Sequence, residues 1–347
     1  MVKFMNPFKP AKNRALLEYL SSGIDMGSAQ IKLVKLKIGK DSSELLEFAI
    51  EPGRLDSPEA LKKITYDREV KGAGFALSGP ATIIRYINFP RMNEDELRQA
   101  LRFEAQKHIP FNLSEVNLDA CILKKDLPDN KMLVLLAAVK KDSIKQRLKL
   151  IVDAGLTANL IDIDSLGLVN AFNFNYPPEG NPKHKAIALL NIGASFTNLN
   201  ILEDGLPRLS RDLGIGGNNF TQKLSDLFGI DFASAEALKL KPDQERLAKI
   251  TSGIESVLSG LASEVRISFD YYESQCVTSV SKIFLSGGGS LFPGFKDMLA
   301  NLLGIEVAYW DPLERIQLSS NIDSKKAKSA SGQLAVAVGL ALRQQER

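Results

Sequence analysis

The feature of this sequence that most constrains its fold is a short turn that occurs twice, once near the start of each half. Ile24-Asp25-Met26-Gly27-Ser28-Ala29 (turn 1) is matched by Leu190-Asn191-Ile192-Gly193-Ala194-Ser195 (turn 2). Each turn follows an apolar run and precedes alternating apolar and polar residues, QIKLVKL and FTNLNIL, which is typical of half-buried β-strands. Two equivalent turns in a chain of 347 residues predict duplicated domains that face each other across a cleft.

The residues of these turns suit the binding of phosphate. A tight turn of Gly and small polar residues exposes backbone N–H groups that can hold phosphate oxygens, and Gly lets the backbone approach closely. Asp25, two residues before Gly27, can hold Mg²⁺ through water while phosphates complete the coordination. Lys32 lies on the following strand, where it either reaches the β- and γ-phosphates or is an ordinary solvated strand residue.

A third glycine-rich turn occurs late in the chain. The strand-like run IFLS leads into Gly287-Gly288-Gly289 (the glycine turn), and a helix is predicted to start near Pro293. Such a turn lets a flat ring or a phosphate lie against backbone at a helix N-terminus. Its spacing is not the G-x-G-x-x-G of a Rossmann turn, and the sequence has no G-x-x-x-x-G-K-[ST] loop. A purely structural glycine turn is the alternative interpretation.

Composition narrows the class of protein. The formal net charge is +3, and basic residues are scattered without interleaved aromatic residues, so we do not expect nucleic-acid binding. The two cysteines, Cys121 and Cys276, are far apart, which argues for a reducing compartment and against a disulfide framework. With only His108 and His184, a His/Cys metal site is not expected. No apolar run approaches the roughly 20 residues of a membrane span.

Local patterns outline the elements between these turns. Residues 23–38 predict a hairpin, and residues 44–50 a further strand that ends at Pro52-Gly53. Asn93 with Glu96 three residues later predicts the start of a helix that ends before Pro110. Residues 131–139 predict a buried strand, and Asp142 or Ser143 the start of a helix closed by Gly155. The polar, Pro-rich residues 172–185 are the best candidate for a domain boundary.

The order and spacing of these motifs resemble the actin-like ATPase superfamily. Turn 1 with Lys32, turn 2 and the glycine turn correspond to its first phosphate motif, second phosphate motif and adenosine motif. Ile215-Gly216-Gly217 resembles the start of the subdomain that closes over the nucleotide. Glu236 and Lys239 resemble the Glu-x-x-Lys pair that contacts ribose and base. The final AVAVGLALR resembles the closing helix that returns to the first domain.

Within that superfamily the sequence resembles the PilM family of type IV pilus assembly proteins, which are relatives of FtsA. The most specific stretch is residues 104–111, EAQKHIPF, followed by 114–119, SEVNLD, which is similar to a segment of that family's inserted subdomain. RDLGIGGNNFTQKL and LSGGGSLFPGFKDML are similar to other segments of the family. The likeness runs from about Gly23 to Arg343.

The resemblance implies a fold and a domain plan. The fold is α/β: an actin-like two-domain ATPase fold with duplicated ribonuclease-H-like domains around a nucleotide cleft, and an inserted α+β subdomain as in FtsA and PilM. The implied boundaries are an N-terminal tail at 1–20, domain I at 21–178, domain II at 179–325, and a C-terminal helix at 326–347 that returns to domain I. Within these, the inserted subdomain spans about 75–156, and the nucleotide-closing subdomain about 217–280.

The resemblance also implies a function: a cytoplasmic scaffold, held at the inner membrane by a protein partner. Its cofactors would be ATP and Mg²⁺. The metal would be held near Asp25, and the nucleotide by these residues: Gly27, Ser28, Lys32, Gly193, Ala194, Ser195, Gly217, Glu236, Lys239, Gly287, Gly288 and Gly289. The partner would be the cytoplasmic N-terminal tail of a PilN-like inner-membrane protein, gripped between the first subdomain and the inserted one. The motor ATPase, platform proteins and a second copy of the chain are further expected partners.

The sequence departs from the superfamily at one position that bears on catalysis. Asn191 stands where many actin-like ATPases carry a second Asp, and an amide cannot supply the negative charge that helps to hold Mg²⁺ or to orient water. We therefore expect at most a slow ATPase, or a nucleotide sensor that does not hydrolyse. Asp162 and Asp164 are candidates for positioning water; the alternative is that they are strand-end or helix-cap carboxylates.

Two other functions stay open on the sequence. A small-molecule kinase of the same superfamily needs a carboxylate base beside a substrate pocket, and no clear candidate lies near Gly193. An FtsA-like filament-forming protein would be expected to carry a C-terminal amphipathic membrane helix, which is not evident in the terminal ALRQQER.

Overall fold

A computed structural model describes residues 18–40, 42–53, 56–178, 185–276 and 278–343. The chain divides into two compact units: unit 1 is Met1–Pro177, Pro312–Lys328 and Leu334–Arg347, and unit 2 is Pro178–Asp311 and Ser329–Gln333. Most of the tail predicted at 1–20 lies outside the described residues, and strand β1 already begins at Tyr19. The chain re-enters unit 1 at Pro312, earlier than residue 326, because β14 pairs with β3 and Asn175 Nδ2 donates to the Pro312 carbonyl at 2.7 Å.

Unit 1 is built on a mixed six-stranded sheet with the order β14-β3-β2-β1-β4-β8. Its strands are β1 (Tyr19–Met26), β2 (Gln30–Ile38), β3 (Ser43–Pro52), β4 (Gly72–Leu77), β8 (Thr157–Ile163) and β14 (Gln317–Leu318). The predicted hairpin at 23–38 is confirmed, since β1 and β2 are antiparallel neighbours with Asp25 opposite Lys32. The parallel neighbours β4 and β8 follow β1 in the sheet. Alternation along β2 buries Ile31 and Leu33 on the core side.

Five helices accompany this sheet in the described part of the chain: α1 (Pro58–Tyr66), α3 (Lys141–Asp153), α4 (Asp164–Asn175), α9 (Ser324–Ala330) and α10 (Ala335–Arg343). α3 begins one residue before the predicted Asp142, directly after strand β7 (Lys131–Lys140). α10 packs against α4 and β1, and glycines allow this close approach. A Cβ on Gly339 would lie 1.8 Å from the Gly167 carbonyl oxygen. The predicted closing helix thus packs on the first sheet.

A separate three-stranded sheet lies inside unit 1, within residues 75–156. It has the order β5-β7-β6, from β5 (Thr82–Pro90), β6 (Val116–Leu127) and β7 (Lys131–Lys140), and it packs against α2 (Glu94–His108). α2 begins with the predicted capping box: the Asn93 side chain accepts from the Asp95 and Glu96 N–H groups, and Glu96 accepts from the Asn93 N–H at 2.8 Å. Burial of Leu97, Leu101 and Ala105 along one face fixes the helix on the sheet.

Unit 2 repeats the arrangement of hairpin and parallel strands. Its five-stranded sheet has the order β11-β10-β9-β12-β13, from β9 (Ala186–Ile192), β10 (Thr197–Glu203), β11 (Leu206–Leu213), β12 (Val280–Ser286) and β13 (Glu306–Tyr309). The helices are α5 (Gly217–Phe228), α6 (Phe232–Leu240), α7 (Leu247–Gln275) and α8 (Phe295–Leu303). One apolar core joins the even-numbered residues of β9 to these helices, and it contains Leu190, Phe220 and Leu258.

Candidate functional site

Turn 1 joins β1 to β2 and brings an acidic and a basic residue together. The Gly27 N–H donates to the Gln30 carbonyl at 3.0 Å, which closes the turn. Asp25 and Lys32 are directly opposite across the hairpin, and Lys32 Nζ lies 2.9 Å from Asp25 Oδ2. Both side chains are mostly buried, so Lys32 is not the solvated strand residue of the alternative interpretation. A Cβ on Gly27 would lie 2.9 Å from Lys32 Nζ and 3.0 Å from the Gln30 carbonyl oxygen, so a larger residue there would crowd this ammonium.

A second cation, which the sequence did not reveal, approaches turn 1 from helix α3. The Arg147 guanidinium donates to Met26 Sδ at 2.8 Å. Burial lowers the pKa of Arg147, and the Asp25 carboxylate partly opposes that shift. Asp25 is therefore near two cationic side chains, one on the neighbouring strand and one more than a hundred residues later. No sequence pattern links Arg147 to turn 1.

Turn 2 in unit 2 has the same geometry as turn 1. The Gly193 N–H donates to the Phe196 carbonyl at 2.9 Å, and Ile192 pairs with Thr197 as Met26 pairs with Ile31. When the two hairpins are aligned by their strand pairing, Asn191 lies at the position of Asp25 and Asn198 at the position of Lys32. The Asn191 Oδ1 accepts from the Ser286 hydroxyl at 3.1 Å. Turn 2 thus repeats the backbone of turn 1 with neutral amides in place of its ion pair.

The loop before α5 packs directly on turn 2. The Gly217 N–H donates to the Gly193 carbonyl, and the Asn218 N–H to the Ala194 carbonyl, each at 2.8 Å. A Cβ on Gly216 would lie 2.7 Å from the Ala194 carbonyl oxygen, so Gly216 is required by this packing, although sequence reasoning assigned only Gly217 to the site. The first turn of α5 is therefore fixed against turn 2 by backbone contacts.

Lys239 of α6 is bonded to α5 through a small polar network. Lys239 is 4% exposed, and its ammonium donates to Glu236 Oε2 at 2.6 Å, Thr221 Oγ1 at 2.8 Å and the Gly217 carbonyl at 3.2 Å. These contacts use all three donor protons of the ammonium. Thr221, which is fully buried, also bonds to Glu236. The predicted Glu-x-x-Lys pair is thus an ion pair that ties α6 to the start of α5, and Thr221 is a member that sequence reasoning missed.

The glycine turn packs against turn 2 from the other side. Gly287 has φ +88°, and a Cβ there would lie 2.3 Å from the Ile192 carbonyl oxygen. A Cβ on Gly289 would lie 2.8 Å from the Gly193 carbonyl oxygen. Gly288 faces the Gln333 side chain, and the Gly287 N–H donates to the Gly332 carbonyl at 2.8 Å. Packing by itself is enough to require Gly287 and Gly289. In unit 2, one cluster is therefore formed by residues 193–195, 217, 239 and 287–289.

Asp162 and Asp164 are held as structural carboxylates. Asp162 is buried, forms an ion pair with Arg343 of α10, and accepts from the Ile163 N–H at 2.7 Å. Burial raises the pKa of Asp162, and Arg343 partly offsets that shift. Asp164 accepts from the Ser165 N–H at 2.7 Å in the first turn of α4. These contacts favour the strand-end and helix-cap interpretation over the positioning of water.

A pocket in unit 1 lies where the six-stranded sheet, the three-stranded sheet and α3 meet. Its wall is mainly apolar, with a polar part that contains two carboxylates. The lining residues are Leu77, Leu118, Val139, Ile144 and Ile161, together with Asn117, Asp119 and Asp162. Because the apolar residues come from strands β4, β6, β7 and β8 and from helix α3, the pocket depends on how the inserted sheet packs on the main one.

Two features that a function could require are absent from the described residues. Within those ranges no group of three or more His, Cys, Asp or Glu side chains is placed to hold a metal ion. Over the same part of the chain, no helix combines the length and apolar character needed to cross a membrane.

Two sheets that begin with the same hairpin turn, and a glycine turn packed on the second of them, define the actin-like ATPase fold. The structure of a PilM-PilN type IV pilus biogenesis complex matches with a TM-score of 0.82 and 26% identity, covering 94% of this chain and 99% of that one. The type IV pilus assembly protein PilM family model matches residues 23–345. The chain belongs to the PilM family.

Two more distant similarities support the fold and nothing further. The ethanolamine utilization protein EutJ from Carboxydothermus hydrogenoformans matches with a TM-score of 0.56 and 16% identity, covering 97% of this chain and 92% of that one. A chaperone protein DnaK of Cyanophora paradoxa is 28% identical over 141 residues, or 39% of this chain. The match spans only 22% of the length of that curated relative.

Proposed function

We propose that this chain is a nucleotide-binding scaffold of a type IV pilus assembly platform, and that it binds the cytoplasmic N-terminal tail of a PilN-like inner-membrane protein. The observation that carries the proposal is the similarity of nearly the whole chain to the PilM-PilN complex. The binding of the tail would hold the chain at the cytoplasmic side of the inner membrane, because a short segment in a groove is enough to recruit a protein.

The pocket of unit 1 is our candidate for the tail site. Five of its lining residues are apolar, which suits an apolar anchor side chain. Asp119 and Asp162 add acidic groups at the same pocket, although Asp162 is already paired with Arg343. The site therefore favours an apolar segment that also carries a hydrogen-bond donor or a positive charge.

Turn 1 of unit 1 is our candidate for a phosphate-binding site. At turn 1 the residues present fit a phosphate: Gly27 leaves room that a Cβ would fill, and Lys32 lies beside that room. The Lys32 ammonium would then exchange its bond with Asp25 for a bond with the phosphate, and the Asp25 carboxylate would be free to hold Mg²⁺. Within unit 2, the cluster of residues 193–195, Gly217, Glu236, Lys239 and 287–289 is our candidate for nucleotide contacts. The metal, when bound, would neutralise phosphate charge.

We propose that hydrolysis is slow or absent. Asn191 and Asn198 replace the charged pair of turn 1, so the position of Asp25 in turn 2 supplies an amide and not a carboxylate for a metal-bound water. Asp162 is buried in an ion pair. A scaffold that changes state on nucleotide binding does not need rapid turnover, since a ligand shifts an equilibrium through its different affinities for two states.

The deciding experiment is calorimetric titration of the purified chain with Mg·ATP, and with a synthetic peptide of the N-terminal cytoplasmic tail of the PilN-like protein. We expect both ligands to bind. Leu118→Glu places a charge in the pocket wall and should weaken peptide binding at least tenfold, a loss of about 1.4 kcal/mol. Val152→Glu, on an exposed position of α3, is the matched control and should bind the peptide normally. Asp25→Ala should weaken Mg·ATP binding.

Each contrary result has a distinct meaning. If only Mg·ATP binds, the partner assignment is wrong. The small-molecule kinase and the filament-forming protein then become the functions to test. If the peptide binds and ATP does not, the chain is a scaffold without a nucleotide site. Wild-type affinity of Asp25→Ala for Mg·ATP would exclude the metal role of Asp25.

A further inference from the structure

Arg147 is held in an unusual environment for a guanidinium. It is partly buried, and its Nη1 donates to the thioether of Met26 at 2.8 Å. A thioether is a weak acceptor, so this contact recovers little of what the guanidinium loses by leaving water. The nearby carboxylate, Asp25, is engaged at 2.9 Å by Lys32. Burial accordingly lowers the pKa of Arg147 despite the favourable field of Asp25.

This environment fits an anion better than it fits a structural role alone. A guanidinium that only fixed α3 to the hairpin would be expected to form a bidentate pair with a carboxylate, the geometry for which Arg is suited. Instead Arg147 lies on Met26, the residue between Asp25 and Gly27, while Lys32 Nζ lies beside Gly27. Two cationic side chains, Lys32 and Arg147, thus lie beside turn 1. A phosphate oxygen at that turn would supply the strong acceptor that Met26 lacks.

The helix that carries Arg147 also lines the pocket of unit 1. Ile144, three residues earlier on α3, is part of the pocket wall. α3 starts at Lys141, directly after β7, and Val139 near the end of β7 lines the same pocket. An α-helix moves as a rigid body over one turn, because its backbone bonds connect residues three and four apart. A shift of Arg147 therefore changes the position of Ile144.

We propose that Arg147 binds a phosphate oxygen of the nucleotide at turn 1, and that α3 transmits this contact to the pocket. The inference rests on the proposed function for its two ligands, a nucleoside triphosphate and the peptide tail. It adds a positioning residue and a physical link between the sites, both within unit 1. In thermodynamic terms, nucleotide and peptide are coupled, and Arg147 carries a large part of the coupling.

The test is a calorimetric cycle in which peptide affinity is measured with and without saturating Mg·ATP. For the wild-type chain we expect the two affinities to differ by roughly 5- to 150-fold, the usual range of such couplings. Arg147→Met should weaken Mg·ATP binding by about tenfold or more, because a charge-assisted hydrogen bond is lost. Its peptide affinity without nucleotide should remain within about threefold of wild type, and its coupling factor should approach one.

Lys149→Met is the matched control. Lys149 is exposed on the same helix, two residues away, so its replacement removes the same charge from α3 without touching turn 1. We expect this variant to keep the nucleotide affinity and the coupling factor of the wild-type chain. Equal loss in both variants would mean that the general charge of α3 matters and would overturn the specific role of Arg147.

The outcomes separate the inference from the function on which it rests. If the wild-type chain binds neither ligand, the proposed function fails. If it binds both, and Arg147→Met keeps the wild-type affinity for Mg·ATP and the wild-type coupling, the inference alone fails. Should Arg147→Met not fold, Arg147→Lys keeps the charge without the planar guanidinium and should still lower the coupling factor.

Amide hydrogen exchange of the wild-type chain tests the same link without a variant. Mg·ATP should slow amide hydrogen exchange in α3, residues 141–153, without peptide present, because the nucleotide would fix Arg147 and with it the helix. α2, at Glu94–His108, has no residue at turn 1 or among the residues that line the pocket, and its exchange should not change. Unchanged exchange in α3 with nucleotide bound would contradict the link.

Discussion

At the scale of single residues, the two hairpin turns share a backbone and differ in charge. Asp25 and Lys32 in unit 1 occupy the same register positions as Asn191 and Asn198 in unit 2. The backbone N–H groups that can hold phosphate oxygens are a property of the turn, so both turns retain them. The oppositely charged pair at these register positions belongs to turn 1, and turn 2 has two amides there. The two turns therefore share their backbone geometry and differ in the charge of the side chains at these register positions.

The buried ion pair of Asp162 with Arg343 leads to a prediction about pH. Since burial raises the folded-state pKa of Asp162 above the unfolded value of about 3.9, ionisation of this carboxyl opposes folding. Arg343→Met removes the cation that offsets this effect, and the pKa should rise further. We expect a loss of about 3–5 kcal/mol in the free energy of unfolding at neutral pH.

The sign of the pH dependence follows from the same reasoning. Below the unfolded pKa the carboxyl is protonated in both states, so the loss caused by Arg343→Met should be small there. It should grow as pH rises through the raised folded-state pKa, where the carboxylate becomes charged without a partner. Urea unfolding at a series of pH values measures this. Arg246→Met, which breaks an exposed Arg–Asp pair, should cost far less at neutral pH, and an equal cost would contradict the prediction.

Residue roles were predictable where they depend on sequence neighbours. The alternating pattern placed Lys32 on the strand after turn 1, and the structure puts it opposite Asp25. Glu236 and Lys239 were indicated by the family resemblance, and they form an ion pair three residues apart on α6. Arg147, Thr221 and Gly216 were missed because their contacts join elements that are far apart in sequence. Nothing in the surrounding pattern distinguishes Arg147 from the other basic residues of α3.

At the scale of elements, the start of α2 was the clearest local prediction, and it is confirmed. Asn93 and Glu96 form both bonds of the capping box, and the helix ends at His108, before Pro110. The strand predicted at 131–139 is likewise confirmed as β7. Local patterns succeed at these places because capping and apolar periodicity are set by residues within one or two turns.

Removal of this cap gives an element-scale prediction. Asn93→Ala leaves the Asp95 and Glu96 N–H groups without the side-chain oxygen that now accepts from them. We expect a loss of about 1 kcal/mol, within a range of 0.5–2 kcal/mol, in the free energy of unfolding. Hydrogen exchange of α2 amides should accelerate first. Gln99→Ala, at an exposed position inside α2, is the control and should change stability by only a few tenths of a kcal/mol.

α9 shows where local patterns were not enough. The sequence predicted no helix in the polar stretch at 319–332, yet α9 forms at Ser324–Ala330. The Asp323 side chain accepts from the Lys325 and Lys326 N–H groups at its start. Its sequence has little apolar periodicity, because only Ala327 of the helix is buried. A helix with so small a buried face is decided by its cap and its surroundings.

At the scale of the whole molecule, the chain leaves unit 1, forms unit 2, and returns to complete unit 1. α10, at the end of the described chain, packs on α4 and β1, and the Ser21 hydroxyl donates to the Ala341 carbonyl across 320 residues of sequence. Each unit has its own buried apolar core, so we expect a defect in one core to act mainly on that unit.

Gly339→Ala tests this organisation. Its Cβ would lie 1.8 Å from the Gly167 carbonyl oxygen, a backbone atom that cannot move aside without separating α10 from α4. We expect a loss of more than about 3 kcal/mol in the stability of unit 1. The single tryptophan, Trp310, is buried in unit 2, and its fluorescence should keep a near-wild-type urea midpoint while the circular dichroism of the chain falls early.

Gly214→Ala is the control for this experiment, since its Cβ would meet no heavy atom within 4 Å. It should leave both midpoints close to those of the wild-type chain. If Trp310 fluorescence and circular dichroism shift together in Gly339→Ala, the two units unfold as one cooperative body, and the assumption of separate stability is wrong.

The sequence by itself determined the repeated turn, the glycine turn, the capped helices and the alternating strands, because these depend on backbone preferences and on side chains close along the chain. It also carried enough ordered motifs to indicate the family. Only the tertiary structure decided which distant groups meet: Arg147 at Met26, Arg343 at Asp162, α10 on Gly167, and the pocket assembled from four strands and α3. These contacts depend on how separate elements pack against one another, and packing depends on the shapes of whole surfaces, which no short sequence pattern encodes.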